Sequence, residues 1–204
     1  MAHLALAPYR AVSDAALLAF RNPINPWSHT PIGKNIAAGA ELFERMTRRY
    51  GKPVFGLAST VVDGEQVEIV ERVVWERPFC KLIHFERAFQ RHHAPQPKLV
   101  IVAPMSGHYA TLLRGTVETF LPTHEVYITD WTDARLVPVS VGTFDLDDYI
   151  DYLMMIYEEL GKGVHTLAVC QPSVPVIAAI ARMEAEGNPY VPASMTLMGG
   201  PIDT

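Results

Sequence analysis

Beyond Lys98 the sequence alternates between short apolar runs and longer amphipathic stretches, and this alternation limits the possible folds most strongly. The first run, Leu99–Ala103, is wholly apolar, as expected of a strand that is buried on both faces. Strands that alternate with helices predict a parallel sheet with right-handed crossovers. The later strand-like runs are Glu125–Trp131, Val164–Val169 and Ser194–Met198, and the helical stretches are Ala110–Leu121, Asp145–Leu160 and Val174–Glu186.

The residues before this region divide at about residue 53. Residues 1–53 predict a helical segment, with a helix capped at Ser13-Asp14 that runs to Arg21 and a proline-rich loop over 22–31. Residues 54–204 predict an α/β domain that opens with an antiparallel β-hairpin. The hairpin consists of Phe55–Val62, the turn Asp63-Gly64 and Gln66–Trp75, and Phe79–Phe85 is a candidate third strand.

Composition excludes several classes of protein. The chain has 204 residues, of which 49% are hydrophobic and 19% charged, so it is globular rather than disordered. A net charge of -5 argues against a nucleic-acid partner. Two cysteines cannot form a disulfide framework and favour a reducing, cytoplasmic location. No window approaches the roughly 18 apolar residues of a transmembrane segment, and the start lacks the basic leader of a secretory signal. No feature predicts a cofactor or a metal.

Cys170 lies where a predicted strand passes directly into a predicted helix, in Ala168-Val-Cys-Gln-Pro172. This pattern is typical of a nucleophile elbow, which exposes its nucleophile above the carboxyl edge of the sheet. A thiolate is favoured near a helix N-terminus, and the N–H of Gln171 would point at a developing oxyanion. The second oxyanion donor is expected in the loop after the first α/β strand, at Met105 or Ser106.

Other readings of these residues remain open. Cys170 could be a small buried side chain, which is the favoured reading for Cys80 inside its strand. Ser173 is a rival nucleophile in the first helical turn. Four aspartates near the start of one predicted helix suggest helix capping more than a metal site, and adjacent histidines suggest a solvent-exposed loop. They are Asp145, Asp147, Asp148 and Asp151, and His92 and His93.

Several longer motifs follow one another along the chain: Ala103–Arg114, Val126–Trp131 with Asp133–Arg135, Phe144–Tyr149 and Val169–Pro175. Together they resemble the intracellular polyhydroxyalkanoate (polyhydroxybutyrate) depolymerases, and the resemblance extends over essentially the whole chain. These are α/β-hydrolases that cleave the ester bonds of stored polyester to 3-hydroxyacids and oligomers. The resemblance implies a Cys-Asp-His triad with Cys170 as nucleophile, and a cytoplasmic location at the surface of storage granules.

The catalytic acid and base do not follow from this sequence. In α/β-hydrolases they come after the nucleophile, whereas all eight histidines here precede Cys170 and Asp203 is the only later aspartate. We therefore expect an N-terminal fragment of the domain that is inactive or incomplete, and the sequence leaves open whether it is active alone. His108 and Asp130 are expected at the active edge, more as positioning or structural groups than as catalysts. His165 is expected at the opposite edge.

Three functions are compatible with these features. The first is hydrolysis of polyhydroxyalkanoate esters through Cys170. The second is a non-catalytic fragment that binds a granule or another protein chain. The third is acyl transfer, as in the related polyester synthases, which also use a cysteine. The expected partners are a polyester granule or oligomeric ester, a missing C-terminal half, or a second copy of the chain.

Overall fold

The computed structural model describes residues 6–48, 51–90, 93–105 and 109–203. Two compact units are present, Met1–Lys52 and Pro53–Thr204. Their elements follow from different sequence patterns, helical in the first unit and mixed in the second. Each unit is therefore described separately.

The described part of the first unit contains two α-helices, α1 (Ala7–Arg21) and α2 (Pro31–Thr47), with a short 3-10 turn at Pro26–His29 between them. The Arg10 guanidinium donates to the Thr47 hydroxyl at 3.0 Å, so the start of α1 lies beside the end of α2. The predicted start of α1 at Ser13 is wrong, because the helix begins six residues earlier with Pro8 in its first turn. Proline is tolerated there, since the first N–H groups of a helix have no partner within it.

The second unit contains one mixed sheet in the described part of the chain, with strand order β1-β2-β3-β5-β4-β6-β7. The first three strands form an antiparallel ribbon, as the hairpin pattern predicts. The last four strands in this order pair in parallel. The strands are β1 (Ser59–Val62), β2 (Glu65–Arg77), β3 (Cys80–Ala88), β4 (Lys98–Val102), β5 (Glu125–Trp131), β6 (Val164–Val169) and β7 (Ser194–Met198).

The expectation of a mostly parallel sheet is wrong, because three of the described strand pairings are antiparallel. One of these is the pairing of β3 with β5, which joins the antiparallel ribbon to the parallel strands. Tight turns, such as that at Asp63-Gly64, can connect only antiparallel neighbours. The coarser expectation of a mixed α/β unit is confirmed.

Helices cover both faces of this sheet. Helix α3 (Arg114–Phe120) contributes Val117 to one core, together with Ile101 of β4. Helices α4 (Leu146–Leu160) and α5 (Ser173–Ala185) contribute to the core on the other face, with Val100 and Val102 of β4. β4 is thus buried from both sides, as its wholly apolar sequence predicts.

The acidic start of α4 is a helix cap. Asp145 accepts hydrogen bonds from the N–H groups of Asp147 and Asp148, and Asp148 accepts from the Asp145 N–H. Asp151 pairs instead with Arg182, at 2.7 Å. No cluster suited to a metal ion occurs among the described residues. Likewise, none of the helices in the described ranges is long and apolar enough to cross a membrane.

Candidate active site

Cys170 forms the turn between β6 and α5. The strand ends at Val169 and the helix begins at Ser173, so only three residues connect them. Cys170 has a φ angle of 67°, in the left-handed region that an L-residue adopts at a cost of roughly 1–2 kcal/mol. Its N–H donates to the Met198 carbonyl at 2.8 Å, and its carbonyl accepts from Ser173 at 3.1 Å. These bonds hold a strained backbone under an exposed thiol.

This strain makes a prediction about stability. Cys170→Gly is expected to have a free energy of unfolding about 1 kcal/mol higher than Cys170→Ala, because only glycine adopts this φ without a steric penalty. Urea unfolding of the two variants measures the difference. Asp63, with a φ of 50° in the hairpin turn, offers a matched pair of variants that should differ in the same direction. Equal stability of the two Cys170 variants would show that the turn carries no strain.

The turn lies at the carboxyl edge of the parallel strands. Ala168 is in register with Val102 of β4, and Val169 is in register with Met198 of β7. The loop that leaves β4 therefore starts beside the turn that carries the thiol. Open α/β sheets bind their ligands at this edge.

The loop after β4 is fixed at its first residue. The Ala103 N–H donates to the Thr129 hydroxyl, and the Ala103 carbonyl accepts from the Trp131 indole, both at 2.9 Å. Thr129 and Trp131 are buried. Both backbone polar groups of Ala103 are thus bound by side chains of β5, which limits where the following residues can lie.

Of the expected oxyanion donors, Gln171 and Met105 are close together. The Met105 N–H donates to Oε1 of Gln171 at 3.4 Å, across the gap between the loop and the turn. Ser106 and His108 lie outside the described residues. The structure therefore brings Met105, in the loop after β4, next to the turn that carries Cys170 and Gln171.

The segment after β7 packs tightly beneath the turn. A Cβ at Gly200 would lie 2.1 Å from Oγ and 2.2 Å from Cβ of Ser173. Ser173 is fully buried, and its hydroxyl has no hydrogen-bond partner among the residues that the structure describes. A buried hydroxyl cannot meet a substrate, so the structure argues against Ser173 as nucleophile. The Gly199-Gly200 pair was the sequence signal for this close approach.

Within the second unit, none of the described histidines forms a hydrogen bond with Cys170. His165 is the second residue of β6 and bonds Ser194 at 2.8 Å, so it is at the opposite edge, as expected. His84 stacks on Tyr127 with ring centroids 4.3 Å apart, and burial lowers its pKa. The remaining described histidines are in the first unit or in turns: His29, His93 and His124.

Asp130 and Cys80 are buried, whereas Cys170 is exposed. Asp130 is buried near the end of β5, in register with Lys81. In the Thr132–Arg135 loop, Asp133 accepts hydrogen bonds from the backbone and the side chain of Arg135. Cys80 has no exposed surface, and burial raises the pKa of its thiol. It is a core residue, as its position inside a strand indicates.

One groove, in the first unit, differs from this turn in its chemistry. The groove of about 470 Å³ lies between α1 and α2. Its charged groups already pair with one another, as Arg45 does with Glu41 and Arg48 with Glu44. The charged groups of this groove bind one another, so the backbone geometry at Cys170, rather than cavity size, identifies the candidate site.

Comparison with known proteins adds no assignment. No family model matches the chain, and no curated protein is significantly similar to it.

Proposed function

We propose that Cys170 is the nucleophile of an α/β-hydrolase that cleaves ester bonds of polyhydroxyalkanoate at the surface of storage granules. One observation carries the proposal: an exposed cysteine with a left-handed φ sits on a strand-to-helix turn at the carboxyl edge of parallel strands. A strained backbone that is held by hydrogen bonds under a reactive group is typical of functional sites. The sequence resemblance supplies the substrate class.

The proposed reaction begins with attack by the Cys170 thiolate on the ester carbonyl carbon. The new C–S bond moves the carbonyl electron pair onto oxygen, and the N–H groups of Gln171 and Met105 would hold that negative charge. Collapse of the tetrahedral intermediate breaks the C–O bond and releases the alcohol, which takes up a proton. Water then cleaves the thioester, releases a 3-hydroxyacid and restores the thiol.

The described residues support the acyl-enzyme half of this reaction best. None of the described histidines forms a hydrogen bond with Cys170, so we assign no general base among them. A cysteine needs a base less than serine does, because a few per cent of an ordinary thiol is already ionised near neutral pH. An activated ester therefore tests the nucleophile without requiring the whole catalytic apparatus.

The experiment is acylation of the 204-residue chain by p-nitrophenyl 3-hydroxybutyrate, followed by mass spectrometric peptide mapping. We expect one 3-hydroxybutyryl group, on Cys170 and not on the buried Cys80, and formed faster than on N-acetylcysteine at equal concentration. Acylation that is no faster than on N-acetylcysteine would contradict the proposal and favour a non-catalytic binding role. Transfer of the acyl group to a hydroxyacid rather than to water would favour the acyltransferase alternative.

A further inference from the structure

The side chain of Gln171 accepts a hydrogen bond from the Met105 N–H, which is one of the two expected oxyanion donors. The Met105 N–H points at Oε1 of Gln171, although the two residues lie on separate elements. An amide that is bound to this side chain is not free to bind a substrate oxygen. Either the peptide or the side chain must therefore move before a tetrahedral intermediate can be held there.

Backbone hydrogen bonds anchor the chain close to Met105 and at Gln171. On the loop side, Ala103 is bound through both its N–H and its carbonyl to buried side chains of β5. On the turn side, the Gln171 carbonyl accepts from Val174 at 3.3 Å, and the preceding Cys170 N–H is bound to Met198. The Gln171 side chain, by contrast, can rotate about its own torsions and is only half-buried.

The bond itself is suited to replacement. At 3.4 Å it is longer than the 2.9–3.0 Å that is usual for an N–H···O bond, so it is weak. A hydrogen bond to an ionised oxygen is roughly twice as strong as one to a neutral amide. A substrate oxyanion would therefore outcompete Oε1 for the Met105 N–H.

We propose that Gln171 Oε1 is a placeholder for the oxyanion: it satisfies the Met105 N–H in the free protein and swings away when a reacting carbonyl enters. This inference rests on the proposed function, and it adds a regulatory contact within the same site. The side chain acts through the Met105 amide, so Gln171 is in this respect a positioning residue. Its effect should appear in the affinity for a tetrahedral adduct.

The test uses the trifluoromethyl ketone analogue of 3-hydroxybutyrate. The Cys170 thiolate adds to its carbonyl carbon, forming a C–S bond and placing the electron pair on oxygen, with no leaving group. Gln171→Met keeps the side-chain length but removes the acceptor, so we expect adduct affinity to rise about two- to tenfold. Gln171→Glu keeps the acceptor and adds a negative charge, so we expect affinity to fall about tenfold.

Hydrogen exchange of the Met105 amide provides a readout that needs no ketone. Its exchange should be faster in Gln171→Met than in the unaltered chain, because the N–H loses its partner. A Gln171→Met variant that binds the ketone no more tightly, or that leaves Met105 exchange unchanged, would overturn the placeholder role alone. If the unaltered chain forms no adduct, or if Cys170→Ala still forms one, then the proposed function fails, and the inference fails with it.

Discussion

Replacing Cys170 by alanine is expected to lower the rate of p-nitrophenol release from p-nitrophenyl 3-hydroxybutyrate by at least about 100-fold. The variant loses the thiol that we propose as the nucleophile, and water is a weaker nucleophile than a thiolate. Stopped-flow absorbance measures the first turnover, which is the step that we propose for the described residues. A Cys170→Ala variant within twofold of the unaltered chain would refute the assignment.

Two further variants sharpen this experiment. Cys80→Ala is the matched control, because it removes the other cysteine from a buried position in β3 and should leave the rate unchanged. Cys170→Ser tests for a base, since a hydroxyl needs one to lose its proton and a thiol does so only in part. We expect Cys170→Ser to be as slow as Cys170→Ala. Activity in the serine variant would reveal a base within reach of the turn, with His108 as the first residue to replace.

Gly200→Ala is expected to destabilise the second unit by about 1–3 kcal/mol and to slow acylation of Cys170. Its Cβ would lie about 2 Å from the Ser173 side chain, and the Cys170 carbonyl would be only 3.3 Å away. Relief of that clash requires a shift of Ser173 or of the segment that follows β7. Either shift disturbs the hydrogen bond from Cys170 to Met198. Urea unfolding and acylation rates, measured on the same sample, test both effects.

A second substitution, at Ser173, tests whether Gly200→Ala destabilises the protein through this clash or through an unrelated effect. Ser173→Gly removes both atoms that the new Cβ would meet, so the double variant should recover most of the stability lost by Gly200→Ala. Gly115→Ala is the control substitution, because nothing lies within 4 Å of its added Cβ and alanine favours the helix. A double variant as unstable as Gly200→Ala would contradict the packing explanation.

The local sequence predicted the turn but not its surroundings. A strand pattern that passes into a helix pattern within three residues leaves room for one kind of connection, and Cys170 falls on it. The contacts of Ala103 with Thr129 and Trp131 were not predictable, because they depend on which strand lies beside β4. Strand order is set by burial of whole faces rather than by local propensity. The same limit explains why the antiparallel share of the sheet was underestimated.

Helix boundaries show the same division between local and distant causes. The start of α4 followed from an acidic capping pattern that satisfies its own backbone groups. The start of α1 did not, because Pro8 reads equally well as a break and as a first-turn residue. The sequence pattern predicted that Gln171 and Met105 lie at one edge of the sheet, but not that the Gln171 side chain accepts a hydrogen bond from the Met105 N–H.

The hydrogen bond from the Cys170 N–H to the Met198 carbonyl makes the backbone conformation under the thiol depend on β7, the last strand in the sheet order. β7 is largely exposed, as Met198 illustrates with half of its surface accessible, and such strands are among the first elements to open locally. Whenever β7 detaches, Cys170 loses the partner that holds its left-handed backbone. Reaction rates at this one sulfur would then report how often the edge of the sheet frays. During synthesis, the thiol would become an organised nucleophile only after residues 194–200 had docked.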